Sequence, residues 1–290
     1  MQNPLISIII PTYNNGHFFP RLLESLLKQT YTNWEAIIID NNSNDSTLSI
    51  ISEYNDNRFK VFQIQNNGII AKSRNLGIRN SSGEWIAFLD SDDWWDSDKI
   101  MHCSKYFKLD YDLIYHDLEI KNEKGPQLKK NLYSRKSGRN FHKNLLINGN
   151  FIPNSSVLIK KQILDQVGII NEEIEMVGSE DFNLWLRVSN YTNNVKYISK
   201  RLGYYYISSQ GISQKNMTTS YKYALKDFIN ECNSHEKKLI EAHIHYMEAR
   251  YNIKYQNFDQ IRKSILFILL NGTFRIKLKS LYYLFITLFK

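Results

Sequence analysis

The chain has 290 residues, 42% of them hydrophobic and 13% aromatic, enough for one large core or a domain with an appendage. Its two cysteines, Cys103 and Cys232, are far apart and show no metal-ligand spacing, so a disulfide scaffold is excluded and a reducing, cytosolic setting is expected. No apolar run reaches the ~18 residues of a membrane span, and the net charge of +8 asks for an anionic partner: nucleic acid, a membrane face or an anionic substrate.

Met1-Gln2-Asn3-Pro4 carries no signal-peptide pattern and leads into a continuous apolar run, Leu5 to Ile10, which predicts a strand covered on both faces. A turn-rich break at Pro11 to Gly16 follows. Phe18, Phe19, Leu22, Leu23, Leu26 and Leu27 then recur at helical spacing. Ala36 to Ile39 predicts a second strand ending at Asp40, and the loop Asn41 to Ser46 offers several N-caps for a helix carrying Leu48, Ile50 and Ile51. Val61 to Ile64 predicts a strand, Ala71 to Ile78 a helix and Trp85 to Leu89 another strand. This alternation implies a largely parallel sheet with helices on both faces, and ligands in such sheets bind beyond the carboxyl ends of the strands. Thr12, Asp40 and Asp90 all fall at such ends.

Further on, Asp112 to Asp117 predicts a strand. The polar, basic stretch 119–150 reads as a long excursion or loop. Ser156 to Lys160, Val195 to Ile198 and Tyr204 to Ile207 predict strands. Lys161 to Val167 and Asn183 to Val188 predict helices, and the chain turns helical after Thr218. The organisation expected is therefore a sheet-containing domain over 1–215 and a helical region over 216–290.

The densest chemistry lies in Asp90-Ser91-Asp92-Asp93-Trp94-Trp95, directly after a buried strand. Carboxylates so close together repel, and a cation among them relieves the repulsion. Hard oxygen ligands on such a loop suit Mg²⁺ or Mn²⁺ holding a phosphorylated substrate. The same residues also suit a helix N-cap at Asp93 or Asp96, and Glu180-Asp181 and Asp40 are open to the same capping explanation. Trp94 and Trp95 suit packing, or stacking on a sugar. His243-Ile244-His245 is not expected to bind metal, because side chains two apart on a helix diverge.

Five segments in order resemble the family 2 inverting glycosyltransferases: Ser7 to Asn14; Ile39-Asp40 with its polar loop; Ala71 to Gly77; Ser82 to Asp93; and Gly178 to Arg187. The resemblance covers roughly the first 210 residues. It implies a GT-A (nucleotide-diphospho-sugar transferase) fold with a C-terminal helical appendage, and a nucleotide-activated sugar, most often a UDP-sugar, as donor. Pro11, Thr12 and Tyr13 would border the nucleobase, and Asp40 would accept from the base N3–H. Arg74 would approach the nucleotide, and Asp90 and Ser91 would lie beside the ribose. Asp92 would hold Mn²⁺ or Mg²⁺, with Asp90 a second candidate. Asp181 would be the catalytic base, supported by Glu180, with Trp94 near the acceptor. Many relatives carry Tyr-Arg-x-His near the end of the catalytic domain. Here Tyr205-Tyr206-Ile207-Ser208 lacks both the Arg and the His. The Gln-x-x-Arg-Trp element of processive synthases is missing too, which favours single addition.

Beyond Asp259 no acidic residue occurs, and Arg262, Lys263, Arg275, Lys277, Lys279 and Lys290 alternate with apolar blocks at Ile265 to Leu270 and Leu281 to Phe289. This pattern suits helices lying on an anionic membrane surface, or a hairpin packed on the catalytic domain. The expectation is a metal-dependent transferase at the inner face of a bacterial membrane. Its acceptor would be an undecaprenyl-diphosphate-linked glycan or lipopolysaccharide core, and nucleic acid is not expected as a partner. A nucleotidyltransferase remains the rival enzyme, although Pro11 to Gly16 has only one glycine for a phosphate loop. A non-catalytic nucleotide-sugar-binding or nucleic-acid-binding module is the rival outside enzymology.

Overall fold

The computed structural model describes residues 3–122, 134–136, 138, 140–208, 215–255 and 261–288. The strands are β1 (Ile6–Thr12), β2 (Trp34–Asp40), β3 (Phe59–Gln63), β4 (Trp85–Phe88), β5 (Trp94–Trp95), β6 (Leu113–Asn122), β7 (Leu158–Lys160) and β8 (Val195–Ile207). They form one sheet in the order β3-β2-β1-β4-β7-β6-β8-β5. The first four are mutually parallel, as expected, and β6 and β8 are parallel as well. Antiparallel pairs on β7 and β5 complete the sheet.

Side chains alternate across β1 and β2 and so build two cores at once. Ile8, Ile10 and Ile38 pack against α1 (Phe19–Leu27), while Ile9, Ile37 and Ile39 face α3 (Ile70–Arg79). Gly77 lets α3 lie close on β1, since an added Cβ would come within 2.6 Å of Ile9 Cγ2. The remaining helices are α2 (Thr47–Glu53), α4 (Lys99–Ser104), α5 (Phe141–Asn148), α6 (Lys161–Val167), α7 (Glu180–Tyr191), α8 (Thr218–Leu225), α9 (Ser234–Lys254), α10 (Ile261–Asn271) and α11 (Phe274–Leu288).

The stretch 119–150 is not one loop. Strand β6 continues to Asn122, and α5 buries Phe141, Leu145 and Leu146 in the core. These apolar anchors are spaced for a helix face but sit among enough polar residues to blur the pattern. The basic residues between 123 and 133 lie outside the described residues. Nor does a break near residue 215 separate two cores. Tyr221, Leu225, Ile240 and Ile244 join the cluster that contains Phe88 and Trp185. A small separate cluster links Ala242 and Tyr246 of α9 to Ile268 and Ile276. The two short strands expected at 195–198 and 204–207 are one strand, whose pairing with β6 shifts register between His116 and Glu119.

Candidate active site

The parallel register sets Thr12 opposite Asp40 at the carboxyl ends of β1 and β2. Beyond them, Asn14 and Asn42 adopt left-handed φ of 50° and 53°, a conformation that asparagine tolerates better than most residues. The two turns lock together: the Asn14 N–H donates to Ser43 Oγ at 2.9 Å and the Asn44 N–H to Asn14 Oδ1 at 2.9 Å. Asp40 is fully buried. Its Oδ2 accepts from the Ser43 N–H at 3.0 Å, while Oδ1 has no protein partner, and neither does Thr12 Oγ1. Pro11 is buried within β1, and Tyr13 stands exposed at the rim. Asp40 caps no helix: α2 begins at Thr47, with Asp45 accepting from the Thr47 N–H at 2.9 Å.

The acidic loop begins where β4 ends. It is not a helix cap, because the N-cap of α4 is Asp98. The Asp90 N–H donates to Ser155 Oγ at 3.1 Å, and the Trp95 indole N–H donates to the Ser155 carbonyl at 2.8 Å, which pins the loop to the sheet. Ser91 Oγ accepts from Asn15 Nδ2 at 2.8 Å. On the far side of the sheet edge, Glu180 and Asp181 occupy the first turn of α7, where the helix dipole favours negative charge. Two residues hold that helix in place. Asn75 on α3 grips Ile170, donating to its carbonyl at 2.7 Å and accepting from its N–H at 3.0 Å. Arg187 donates to the carbonyls of Val167, Gly168 and Ile169 at the end of α6.

Arg74 joins the two acidic regions. Its Nη2 donates to Asp90 Oδ1 at 2.7 Å and its Nη1 to Glu180 Oε1 at 2.8 Å, across 106 residues of sequence in the second case. Both Arg74 and Glu180 are buried, so the two bonds are strengthened by low dielectric. Burial alone would lower the Arg74 pKa, but Asp90, Glu180 and Asp181 outweigh it and hold the guanidinium more firmly charged than usual. Two of the five guanidinium N–H groups of Arg74 are thus engaged by Asp90 and Glu180, while its Nε is buried and lacks a protein partner. Glu180 Oε2 accepts from the Gly178 N–H at 2.6 Å. Asp181 accepts from the Phe182 N–H and, at 3.0 Å, from Asn150 Nδ2.

Several carboxyls here remain short of positive charge. Burial, reinforced by Asp90, pushes Asp92 up to about 7. Burial and then Glu180 push Asp181 up to about 7, against the pull of Arg74. Burial, with Asp92 and Asp90 adding repulsion, drives Asp93 well above the usual carboxylate range. Asp93 Oδ1 accepts from the Tyr206 N–H at 2.8 Å, whereas Oδ2 is buried without a partner. Among the described residues no three His, Cys, Asp or Glu side chains converge as a ready-made metal cage. A hard divalent ion needs none: Mg²⁺ and Mn²⁺ sites are commonly one or two carboxylates completed by substrate phosphates and water. The orphaned Asp93 oxygen and the raised Asp92 are what such an ion would relieve, so this donor set fits it. His243 and His245 belong to no such group either.

Trp94 is already engaged. The Arg21 guanidinium lies 3.6 Å from its ring centroid and Tyr204 stacks on it at 4.8 Å, so a sugar reaching this ring face must displace one of them. Arg21 also donates to the Asp92 carbonyl at 3.1 Å and lies 5.3 Å from the Tyr206 ring. A guanidinium from α1 thus stands beside the segment that lacks the relatives' Arg and His. On the Arg21 side of the acidic loop, Arg21, Trp94, Trp95, Asp96 and Tyr204 help line an open cleft of about 470 Å³. That falls in the ~300–1,000 Å³ range of ligand pockets, although neither Asp90 nor Asp181 lines it.

Sequence reasoning missed Arg21, Asn150 and Asn154, the last donating to Asp90 Oδ1 at 3.3 Å. The polar spacing of Asn150 and Asn154 around Pro153 is a weak turn signal. Nothing in the spacing of Arg21 announces its position, which only the packing of α1 against β5 creates.

Comparison with known proteins identifies the family and the fold. The sequence profile of glycosyl transferase family 2 matches residues 7–168. WfgD of Escherichia coli, described as a UDP-Glc:alpha-D-GlcNAc-diphosphoundecaprenol beta-1,3-glucosyltransferase, is 30% identical over 200 residues, covering 69% of this chain and 75% of that protein. The chain spans only 31% to 39% of several other curated relatives. Staphylococcus aureus TarS, solved with UDP-GlcNAc, superposes with a TM-score of 0.66 at 21% identity, covering 93% of this chain and 82% of that one. The Pyrobaculum calidifontis mannosyltransferase PcManGT, solved with GDP-Man and Mn²⁺, gives 0.62 at 14% identity, covering 100% and 82%. These two likenesses establish the GT-A fold. With more than half its length matched by the profile, this chain belongs to glycosyl transferase family 2.

Proposed function

We propose that this protein is an inverting transferase moving one sugar, glucose, galactose or an N-acetylhexosamine, from a UDP-sugar to a hydroxyl of a lipid-linked glycan. Such acceptors occur in bacterial O-antigen, capsule and lipopolysaccharide synthesis. The observation that carries the reading is the Arg74 bridge, which brings the acidic loop and the start of α7 to one edge of the sheet. The name of WfgD supplies the acceptor class by analogy.

In this reading Asp40 Oδ1 accepts from the uracil N3–H, and Pro11, Thr12 and Tyr13 border the base. Asp90 and Ser91 lie at the ribose, and Asp92, with Asp90 beside it, would hold Mg²⁺ or Mn²⁺. When bound, the ion neutralises the diphosphate leaving group. Asp181 takes the proton of the attacking hydroxyl, whose oxygen bonds to the anomeric carbon from the face opposite the diphosphate. The carbon–oxygen bond to the phosphate breaks as that bond forms, UDP departs with the electron pair, and the centre inverts. Glu180 keeps Asp181 basic through like-charge repulsion, and Asn150 fixes its orientation. Arg74 holds both sides in register, and Trp94 belongs to the packing that supports the loop.

The protein would work on the inner face of the cell membrane, with no nucleic acid partner. Among the described residues no helix is long and apolar enough to cross a bilayer. The hairpin α10–α11 packs Ile268 and Ile276 on α9, yet leaves Leu270, Phe274, Leu278, Leu281 and Tyr282 exposed, at the i, i+4, i+8 spacing of one helix face along α11. Both sequence-based readings of the tail are thereby supported, one on each side of the hairpin. The exposed apolar face with its basic neighbours suits the interfacial plane of an anionic membrane. Release of UDP from UDP-glucose, UDP-galactose and their N-acetyl forms, measured with Mn²⁺ and a lipid-diphosphate acceptor, tests the reading. Acceptor-dependent release of UDP from one donor is the expected result, and its absence with every donor overturns it.

A further inference from the structure

Away from the strand ends, a second charged region lies behind α7. The ring of Phe182, next to the Asp181 position, stacks on Tyr221 at 4.8 Å and an interplanar angle of 5°. Tyr221 lies 5.7 Å from His243, and His243 lies 6.2 Å from Tyr246. Cations gather around this aromatic column. Arg250 Cζ and Lys279 Nζ stand 5.9 and 5.7 Å from the Tyr246 ring, and Arg275 precedes Lys279 by one turn on the same face of α11. From the other side, Arg135 lies 4.6 Å over the Phe151 ring and reaches the Asn148 carbonyl.

Two properties separate this group from an ordinary solvated basic face. No ion pair among the described residues involves any of the four cations, while three buried polar atoms in their midst, Tyr221 Oη, His243 Nδ1 and Arg135 Nε, lack hydrogen-bond partners. Tyr221 is only 3% exposed, so water does not easily satisfy it. Burial, and then repulsion from Arg135, Arg250, Lys279 and Arg275, depresses His243 to about 3, which keeps it neutral. Like charges brought together around unsatisfied polar atoms are what an anion would stabilise.

We infer that Arg135, Arg250, Arg275 and Lys279, gathered around Tyr221 and His243, form a binding site for a phosphate or diphosphate group, separate from the nucleotide cleft. The site stands independently of the transferase reading. Where that reading holds, the ligand is the diphosphate of the lipid-linked acceptor. The exposed apolar face of α11 adjoins Arg275 and Lys279, so a lipid chain lying on Phe274 and Leu278 would present its phosphates to this group. Gly149 packs its backbone against the His243 ring, and Asn150 next to it binds Asp181, so anion site and proposed base share one loop.

The test uses the full chain in the presence of EDTA, without donor. Inorganic diphosphate is titrated calorimetrically, and phosphatidylcholine vesicles containing phosphatidic acid are used in co-sedimentation. Arg250 and Lys279 are exposed, so Arg250→Ala/Lys279→Ala is expected to keep the wild-type melting temperature. The inference expects at least a tenfold loss of affinity for one or both probes, with recovery in Arg250→Lys/Lys279→Arg and no loss in Asp92→Ala. Loss with vesicles alone identifies a lipid-borne phosphate as the ligand, and loss with diphosphate alone identifies a soluble one. Unchanged affinity for both probes in the double alanine variant overturns the site, as does loss of binding in Asp92→Ala.

Discussion

Two carboxylate environments at opposite rims of the sheet behave in opposite ways. At the amino ends of β1 and β2, Glu35 accepts from Ser7 Oγ at 2.5 Å, the Ser82 N–H at 2.7 Å and Lys60 Nζ at 2.6 Å. Burial would raise its pKa, but these three donors outweigh burial and hold it below the usual range. In the loop after β4 and the first turn of α7, Asp92 and Asp181 are pushed up to about 7 and Asp93 is raised well above the usual carboxylate range. One is saturated by its own chain. The other is left short of positive charge, and a group short of charge in a folded protein is a candidate for a ligand or a reaction.

The strongest break of this comparison comes from Asp92→Ala and Asp181→Asn. Each is expected to reduce transfer by ~10²–10⁴-fold with an unchanged circular dichroism spectrum. Near-normal UDP release in either purified variant would remove that residue from the mechanism. Next in size is Arg74→Met, which strands Asp90 and the buried Glu180. Losing one partner of a buried pair costs ~3–5 kcal/mol, readable as a fall in urea midpoint. A midpoint within error of wild type would show that the bridge is dispensable.

Glu35→Gln is the control for the saturated environment. It is expected to cost about 1–3 kcal/mol of stability while leaving kcat/KM for the donor intact, and a large activity loss with unchanged stability would invert the contrast. The smallest effect is a shift in a pH profile. A base must be ionised to act, so with Asp181 at about 7 in the free protein, kcat/KM should climb as pH rises to about 7 and level off above it. Glu180→Gln removes the charge that raises Asp181, so the acid limb should move to lower pH. Movement of that limb to higher pH would contradict the assignment.

Much of the fold is legible in the chain because periodicity reports burial directly. The apolar run at Leu5 to Ile10 and the helical spacing from Phe18 to Leu27 become β1 and α1 with shifts of a few residues at their ends. Legibility fails where the signal is tertiary. The pattern over α5 reads as loop because a short helix in a basic stretch is defined by what Phe141 and Leu145 touch. Composition changes near residue 215, although Tyr221 and Ile240 beyond it pack in the main core.

Which residues stand at the strand ends can be read from the chain alone, because parallel strands read as apolar runs and their carboxyl ends follow from chain direction. That reading marks Asp40 and Asp90, whereas Asp92 and Asp181 are singled out by the resemblance to the family 2 transferases. Which charges meet is fixed by packing between elements. Arg74 joins Asp90 to Glu180, Arg21 reaches the acidic loop, and Arg135 and Arg250 meet Arg275 and Lys279 of α11. Local spacing encodes the direction in which a side chain leaves its own helix or strand. Electrostatic coupling depends on distances between elements, and those are set by packing.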